Sequence, residues 1–288
     1  NKNILNGFRN NPAIISKNSY GFFNPKVGLT YFKNNFTAYA SYSIANKEPN
    51  RDDFEAGILQ QPKPERLNDL EIGVENKKAK WNWAVNLYYM QYKNQLVLTG
   101  MINDVGAYTR TNIPRSYRVG IEVQGGVAIN RWLTASANIA FSKNKIKNFT
   151  EYIDDYDNGG QKTNRYNESD IAFSPAVVSA FTITMLPIKQ LSIDLSGKYV
   201  GKQYLDNTAN DNRTLHAFYT QDAKAIYSFG NRALKNVSLI FGVNNLFNKK
   251  YEPNGYTFSY YYNNALTTEN FYFPMAGRTW VAGVQVKI

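Results

Sequence analysis

Apolar and polar residues alternate with a period of two along much of this chain. Trp81, Trp83, Val85, Leu87 and Tyr89 interleave with Asn82, Ala84, Asn86 and Tyr88. Tyr117, Val119, Ile121 and Val123 interleave with Arg118, Gly120, Glu122 and Gln124. The same pattern recurs from Leu191 to Tyr199, from Val237 to Asn244 and from Thr279 to Ile288. A period of two is that of an extended strand with unlike faces. It predicts about eleven strands: Phe23–Phe32, Phe36–Ile44, Leu67–Glu75, Trp81–Tyr92, Ser116–Ile129, Trp132–Ser142, Ala172–Met185, Leu191–Gly201, His216–Phe229, Asn236–Phe247 and Gly277–Ile288. A soluble sandwich would show the same alternation. Length separates the two cases, because these segments outrun the usual five or six residues and reach the roughly 9–11 of a membrane-crossing strand. The predicted fold is all-β, a transmembrane antiparallel β-barrel with its apolar set toward lipid and its polar set toward the lumen.

The connections support this. Lys33–Asn35, Asn76–Lys80, Asn130–Arg131, Pro187–Gln190 and Gly230–Lys235 are short and polar. Between them lie long stretches rich in aromatics and Asn: Ala45–Arg66, Asn94–Arg115, Lys143–Ile171, Lys202–Leu215 and Asn248–Ala276. Short turns on one rim and long loops on the other are the mark of an outer-membrane barrel. Single-chain barrels of this kind have even strand numbers, and an unpaired edge in lipid is prohibitively costly. An odd count that begins in an outer-loop segment (Gly7–Tyr20) therefore predicts that residues 1–288 are the C-terminal half of a larger barrel.

Composition changes this picture little. Mean hydropathy is low, at −0.48, but a barrel strand needs only one apolar face. Aromatic residues make up 15% of the chain, as interfacial girdles require. Cysteine is absent, so there is no disulfide framework and no thiolate site. The formal net charge of +11 is spread over turns, loops and strands without a basic helix, which points away from nucleic acid and toward anionic lipopolysaccharide or an anionic ligand. No Ser/His/Asp order, His/Cys cluster or nucleophile elbow appears, so neither an enzyme nor a metal centre is predicted. Asn1–Asn18 lacks the pattern of a secretion signal, which leads us to expect further sequence upstream.

Several motifs resemble the C-terminal barrel half of TonB-dependent outer-membrane receptors. These are EPNRDDF (Glu48–Phe54), PKPERLNDLEIG (Pro62–Gly73), YRVGIEVQ (Tyr117–Gln124), VSLIFGVNNLFNKKYEP (Val237–Pro253) and YFPMAGRTWVAGVQVKI (Tyr272–Ile288). Their wording is similar to the Bacteroidetes branch of that family. The resemblance implies a 22-stranded barrel, of which this chain supplies strands 12–22, in the outer membrane of a Gram-negative bacterium. It also implies an N-terminal plug and a TonB box, neither of them present here, and no cofactor. The function implied is TonB-driven import of a scarce, large ligand, foremost a ferric siderophore. Two residues take a role by resemblance: Glu71 in LEIG and Glu122 in GIEVQ occupy positions where the family's glutamates hold arginines of the plug. Physically, a carboxylate in a partly desolvated lumen needs a cationic partner. The plainer alternative is a solvated charge paired with a neighbour such as Arg118.

Other candidates lie in the loops. Tyr251, Tyr256, Tyr260, Tyr261 and Tyr262 could grip a flat polar ligand, or they could pack the last long loop upon itself. Asp154, Asp155, Asp157, Asn158 and Gly159 are spaced loosely like a calcium loop but lack its distal glutamate, and such runs usually form turns. The lone His216 is expected near the outer rim. The chain ends in Ile288, where such barrels usually have an aromatic. Two other functional classes fit the same barrel: a passive porin, with Glu71 and Glu122 as selectivity charges, and a non-transporting surface receptor.

Overall fold

The computed structural model describes residues 2–7, 15–56, 61–102, 108–230 and 236–287. The tip of the Asn94–Arg115 connection, most of the Gly230–Lys235 turn, parts of Gly7–Tyr20 and Ala45–Arg66, and Ile288 lie outside these residues. A small hairpin of β1 (Lys2–Asn6) and β2 (Ile15–Ser19) comes first. The wall then begins with β3 (Lys26–Lys33), β4 (Phe36–Lys47), a 3-10 turn at Arg51–Ala56, β5 (Glu65–Lys77), β6 (Trp81–Ile102), β7 (Tyr108–Asn130) and β8 (Leu133–Asp155). After β9 (Gln161–Asp170) it continues with β10 (Val177–Ile188) and β11 (Leu191–Val200). The short pair β12 (Gln203–Tyr204) and β13 (Thr214–Leu215) precedes β14 (Phe218–Phe229) and β15 (Asn236–Asn244). The hairpin β16 (Asn254–Tyr262) and β17 (Ala265–Phe273) leads to the last strand, β18 (Thr279–Lys287).

Eleven of these strands form the wall, in the order β18-β15-β14-β11-β10-β8-β7-β6-β5-β4-β3, each antiparallel to its neighbours. They correspond one for one to the eleven segments predicted from the alternation. Among the described residues the sheet is open, and β3 and β18 are each paired on one side only.

Most of the predicted outward set is exposed, while Val85, Ile121, Leu191, Ile193 and Leu195 are half-buried. Leu70, Ile72, Leu87, Tyr89, Val119, Phe141, Leu239, Phe241, Trp280 and Val284 all stand open on one face. Val237 and Val243 of the same set are instead buried. A wall with large exposed apolar side chains and a polar opposite face suits lipid outside and a wet lumen inside. The short turns follow from local chemistry: Asn34 takes φ 53° between Lys33 and Phe36, a left-handed position that Asn tolerates well.

The long connections are largely ordered among the described residues. Most continue as ordered hairpins. β6, β7 and β8 have 22, 23 and 23 residues, about twice what a membrane crossing needs. β8 turns back into β9, and the Asn248–Ala276 connection folds as β16–β17. Asn263 and Asn264 both adopt positive φ, at 52° and 57°, the conformation that a two-residue hairpin turn demands. The strands reappear there because the outer segments can bury a core. Val97, Ile113, Ile146, Phe149 and Ile171 form it, with Tyr166 packed against them. Burying each such aliphatic or aromatic side chain stabilises by roughly 1.5–3 kcal/mol before ordering entropy.

Candidate functional site

Two sites are built on this frame, one inside the wall and one among the outer hairpins. On the inner face, register places Ser41, Glu71, Tyr88, Gly120 and Ser142 in one row across β4 to β8. Tyr39, Gly73, Asn86, Glu122 and Ala140 form the adjacent row. Two glycines let large side chains lie flat over the sheet. A Cβ on Gly73 would fall 2.4 Å from the Tyr39 ring, and one on Gly120 would fall 2.5 Å from the Tyr88 hydroxyl. Tyr39 then donates its O–H to Asn86 Oδ1 at 3.0 Å.

Glu71 and Glu122 line one pocket of 370 Å³ together with Tyr88, Arg118, Asn144 and Ser174. The structure thus brings together the two glutamates that lie 51 positions apart in sequence (122 − 71). Arg118, the obvious partner, is engaged elsewhere: its Nη1 donates to Asn144 Oδ1 and Ser174 Oγ, both at 3.1 Å. No hydrogen bond or ion pair among the described residues reaches either carboxylate. The pocket therefore has two acidic groups in its lining, neither of them paired among the described residues.

The outer site is a cavity of 490 Å³ between the extensions of β6, β7 and β8, the β12–β13 connection and β16. Its charged wall is internally compensated. Arg213, almost fully buried, places Nη1 2.5 Å from Glu151 Oε1 and 2.7 Å from Asp206 Oδ2. Glu151 Oε2 also accepts from the Tyr166 hydroxyl at 2.9 Å and from Asn164 Nδ2 at 3.1 Å. Burial, then the hydrogen bond to Glu151, pushes the Tyr166 phenol up to about 12. Arg110 pairs with Asp53 at 3.3 Å. Lys63, Asn94, Thr111, Asn148 and Thr150 add polar groups to the lining. Sequence reading missed the Arg213 network, because Glu151 and Arg213 are 62 residues apart and meet only once β8 and the β12–β13 connection pack together.

The five tyrosines singled out in the last long connection sit on or beside β16. Tyr251 stacks on Phe218 at 4.4 Å and Tyr256 on Phe271 at 4.8 Å. Tyr260 leans on Phe258 and Tyr156 and donates to Glu269 Oε1 at 3.2 Å. Tyr261 lies under Lys162 Nζ, 3.8 Å from the ring centre, and Tyr262 is exposed. The alternate residues of the strand, Thr257 and Ser259, are the ones that line the cavity.

The acidic segment near Asp155 forms turns and a clasp. Asp155 Oδ1 accepts the N–H of Asp157 and Asn158, and Asp155 Oδ2 accepts from Asn158 Nδ2. Hydrogen bonding, above all from the Asn158 side chain, holds the Asp155 carboxyl below the usual range. The Asp157 carboxylate accepts the backbone N–H groups of Asn263 and Asn264, both at 2.8 Å, joining the tips of the two outer hairpins. His216 is exposed in the short link between β13 and β14.

Comparison with known proteins adds a family and a set of folds. Residues 4–246 match the family model described as TonB dependent receptor-like, beta-barrel. Among solved structures, the siderophore receptor PiuA from Acinetobacter baumannii aligns over 98% of this chain with a TM-score of 0.70 and 20% identity. The ferric-catecholate import receptor Fiu from E. coli aligns over 94% with a TM-score of 0.65 and 17% identity. The copper transporter OprC aligns over 90% with a TM-score of 0.62 and 18% identity. This chain spans only 38%, 36% and 39% of those three chains. No curated protein matches it.

Proposed function

This chain belongs to the TonB-dependent receptor-like β-barrel family, and on that premise we propose that it forms part of the wall of an active importer. The family is one of transport receptors rather than enzymes, and its barrels sit in the outer membrane of Gram-negative bacteria. We assign the exposed apolar face to lipid and lipopolysaccharide, and the outer cavity to the vestibule through which a ferric siderophore or similar ligand enters. The polar inner face receives a plug from elsewhere in the receptor, and the rest of the barrel continues from β3 and β18. TonB supplies the pull that opens the path.

The observation that carries this reading is the luminal pocket. Glu71 and Glu122 face one space, neither is paired among the described residues, and Arg118 is held off by Asn144 and Ser174. Acidic groups left open in this way suit arginines or lysines of an inserted segment. Charge-assisted hydrogen bonds are strong enough to retain such a segment, and few enough to be broken by force. A porin would use the same two charges for selectivity and would need no energy.

Uptake of radioactive ferric siderophore by iron-limited cells separates the two. An active importer stops when the proton motive force is collapsed or TonB is deleted. Uptake that continues unchanged would remove this function in favour of a passive pore.

A further inference from the structure

Asn207 is fully buried, with 0% of its surface exposed, in the connection between β12 and β13. Its two neighbours, Asp206 and Thr208, line the outer cavity, and Asp206 is half of the clamp on Arg213. Asn207 itself reaches the other way. Its Oδ1 accepts the Ala172 N–H at 2.8 Å, its Nδ2 donates to the Leu98 carbonyl at 2.7 Å, and its own carbonyl accepts the Ser169 hydroxyl at 2.6 Å.

Ala172 opens the turn that leads into β10. The next residue, Phe173, is held at φ 52°, a left-handed conformation that is a true outlier for a bulky side chain. The surrounding bonds hold it there. The Phe173 N–H donates to the Tyr204 carbonyl at 3.0 Å, and the Ser142 N–H to the Ala176 carbonyl at 2.8 Å. Ser142 Oγ donates to the Pro175 carbonyl at 3.2 Å. Ser174 in the same turn is one of the two groups that hold Arg118. Phe173, Ser174 and Pro175 share the luminal pocket with Glu71 and Glu122.

We propose that Asn207 is a positioning residue that couples the outer cavity to the luminal carboxylates. This rests on the reading of Glu71 and Glu122 as an anchor. When a ligand displaces the Asp206–Thr208 wall, Asn207 releases the Ala172 N–H and the strained turn relaxes at Phe173. Ser174 then withdraws from Arg118. The guanidinium, then held by Asn144 but no longer by Ser174, competes for Glu71 and Glu122 with the cations of the inserted segment and loosens that segment. The strained turn is the two-state element such a relay needs, since a filled cavity favours its relaxed form.

The test uses the full-length receptor in its own outer membrane, with vancomycin as the probe, a large hydrophilic antibiotic that a plugged receptor excludes. Asn207→Ala should lower the inhibitory concentration at least about fivefold, the low end of ordinary coupling between sites. Adding Arg118→Gln should restore exclusion, which a purely structural loss at Asn207 would not allow. In the purified receptor, the Ala172 amide should exchange hydrogen faster in the Asn207→Ala variant.

Exclusion as strong as wild type in Asn207→Ala overturns the proposal, as does equal leakage with and without Arg118→Gln. If Asn207→Ala does not reach the membrane, Ser142→Ala loosens the same turn from the β8 side and must leak in its place; exclusion by that variant overturns the relay equally. The combined Glu71→Gln, Glu122→Gln variant separates the levels. If it leaks while Asn207→Ala does not, only the relay fails; if it does not leak, the anchor itself fails.

Discussion

Leu87 and Ile153 are both aliphatic residues of long antiparallel strands, yet Leu87 is 50% exposed on the wall while Ile153 is 2% exposed among the outer hairpins. The charges divide in the same way. Glu71 and Glu122 on the wall have no ion pair among the described residues, whereas Glu151, Asp206 and Arg213 in the outer cluster are locked together. The outer hairpins carry their own core and satisfy their own charges. The wall holds no such core cluster among the described residues, and although Glu75 there pairs with Lys77, Glu71 and Glu122 have no such partner. Its exposed apolar face suits lipid, and on the function proposed above Glu71 and Glu122 would take a cation from an inserted segment. Unpaired groups on the wall therefore point to partners, and paired groups in the hairpins point to architecture.

The largest effect that would test this contrast is at Arg213. Arg213→Met leaves Glu151 and Asp206 buried without compensation, which costs about 3–5 kcal/mol when one partner of a buried pair is removed. Protease should then cut the β8–β9 and β12–β13 segments in the folded receptor. If those segments resist as in the wild type, the outer cluster is not held by its ion network.

On the wall the sensitive change is the opposite one, adding a charge to the outward face. Leu87→Arg should destabilise the receptor in bilayers by about 2–4 kcal/mol if the position lies near mid-membrane. Urea titration in liposomes measures it, and a loss under about 0.5 kcal/mol would place Leu87 away from lipid. Gly73→Ala sharpens the comparison within the wall. The added methyl would meet the Tyr39 ring, and overpacking of this kind costs roughly 1–3 kcal/mol. Gly283→Ala, whose nearest neighbour is the Ile240 Cβ at 3.9 Å, should be nearly neutral in the same assay.

The smallest effect is the pH response of Tyr166. Its folded phenol titrates near 12 against an ordinary value of about 10. The neutral phenol donates to Glu151, so the stability it confers is complete below pH 10 and is lost as pH rises toward 12. Tyr166→Phe should flatten that part of the stability curve. An unchanged alkaline slope would show that ionisation of this phenol, raised first by burial and then by the bond to Glu151, is not linked to folding.

The wall was legible in the sequence because a strand with one lipid face and one wet face must alternate. Every outward residue from Trp81 to Tyr89 followed from that period alone. The glutamates were legible as inward positions by parity, although only the register of β5, β6 and β7 shows that they share a pocket. The outer hairpins were harder to read, because β8 beyond Asn144 buries Ile146 and Phe149 in a core whose other members come from distant segments, and buries Glu151 and Ile153 beside it. One local signal was there to be used. Asn263-Asn264 between YTFSYYY and ALTTENFY is a hairpin turn flanked by strand-forming residues. The stacking partners of Tyr251 and Tyr256, and the clamp on Arg213, depend on tertiary contacts that no local pattern encodes.

Single-channel conductance of the full-length receptor in planar bilayers tests the central claim most directly, with the wild type set beside the combined Glu71→Gln, Glu122→Gln variant. If the two carboxylates hold an inserted segment, the wild type stays closed and the variant shows large, intermittent openings. A variant as silent as the wild type would contradict the anchor, and a wild type that conducts openly would mean that these charges line a pore.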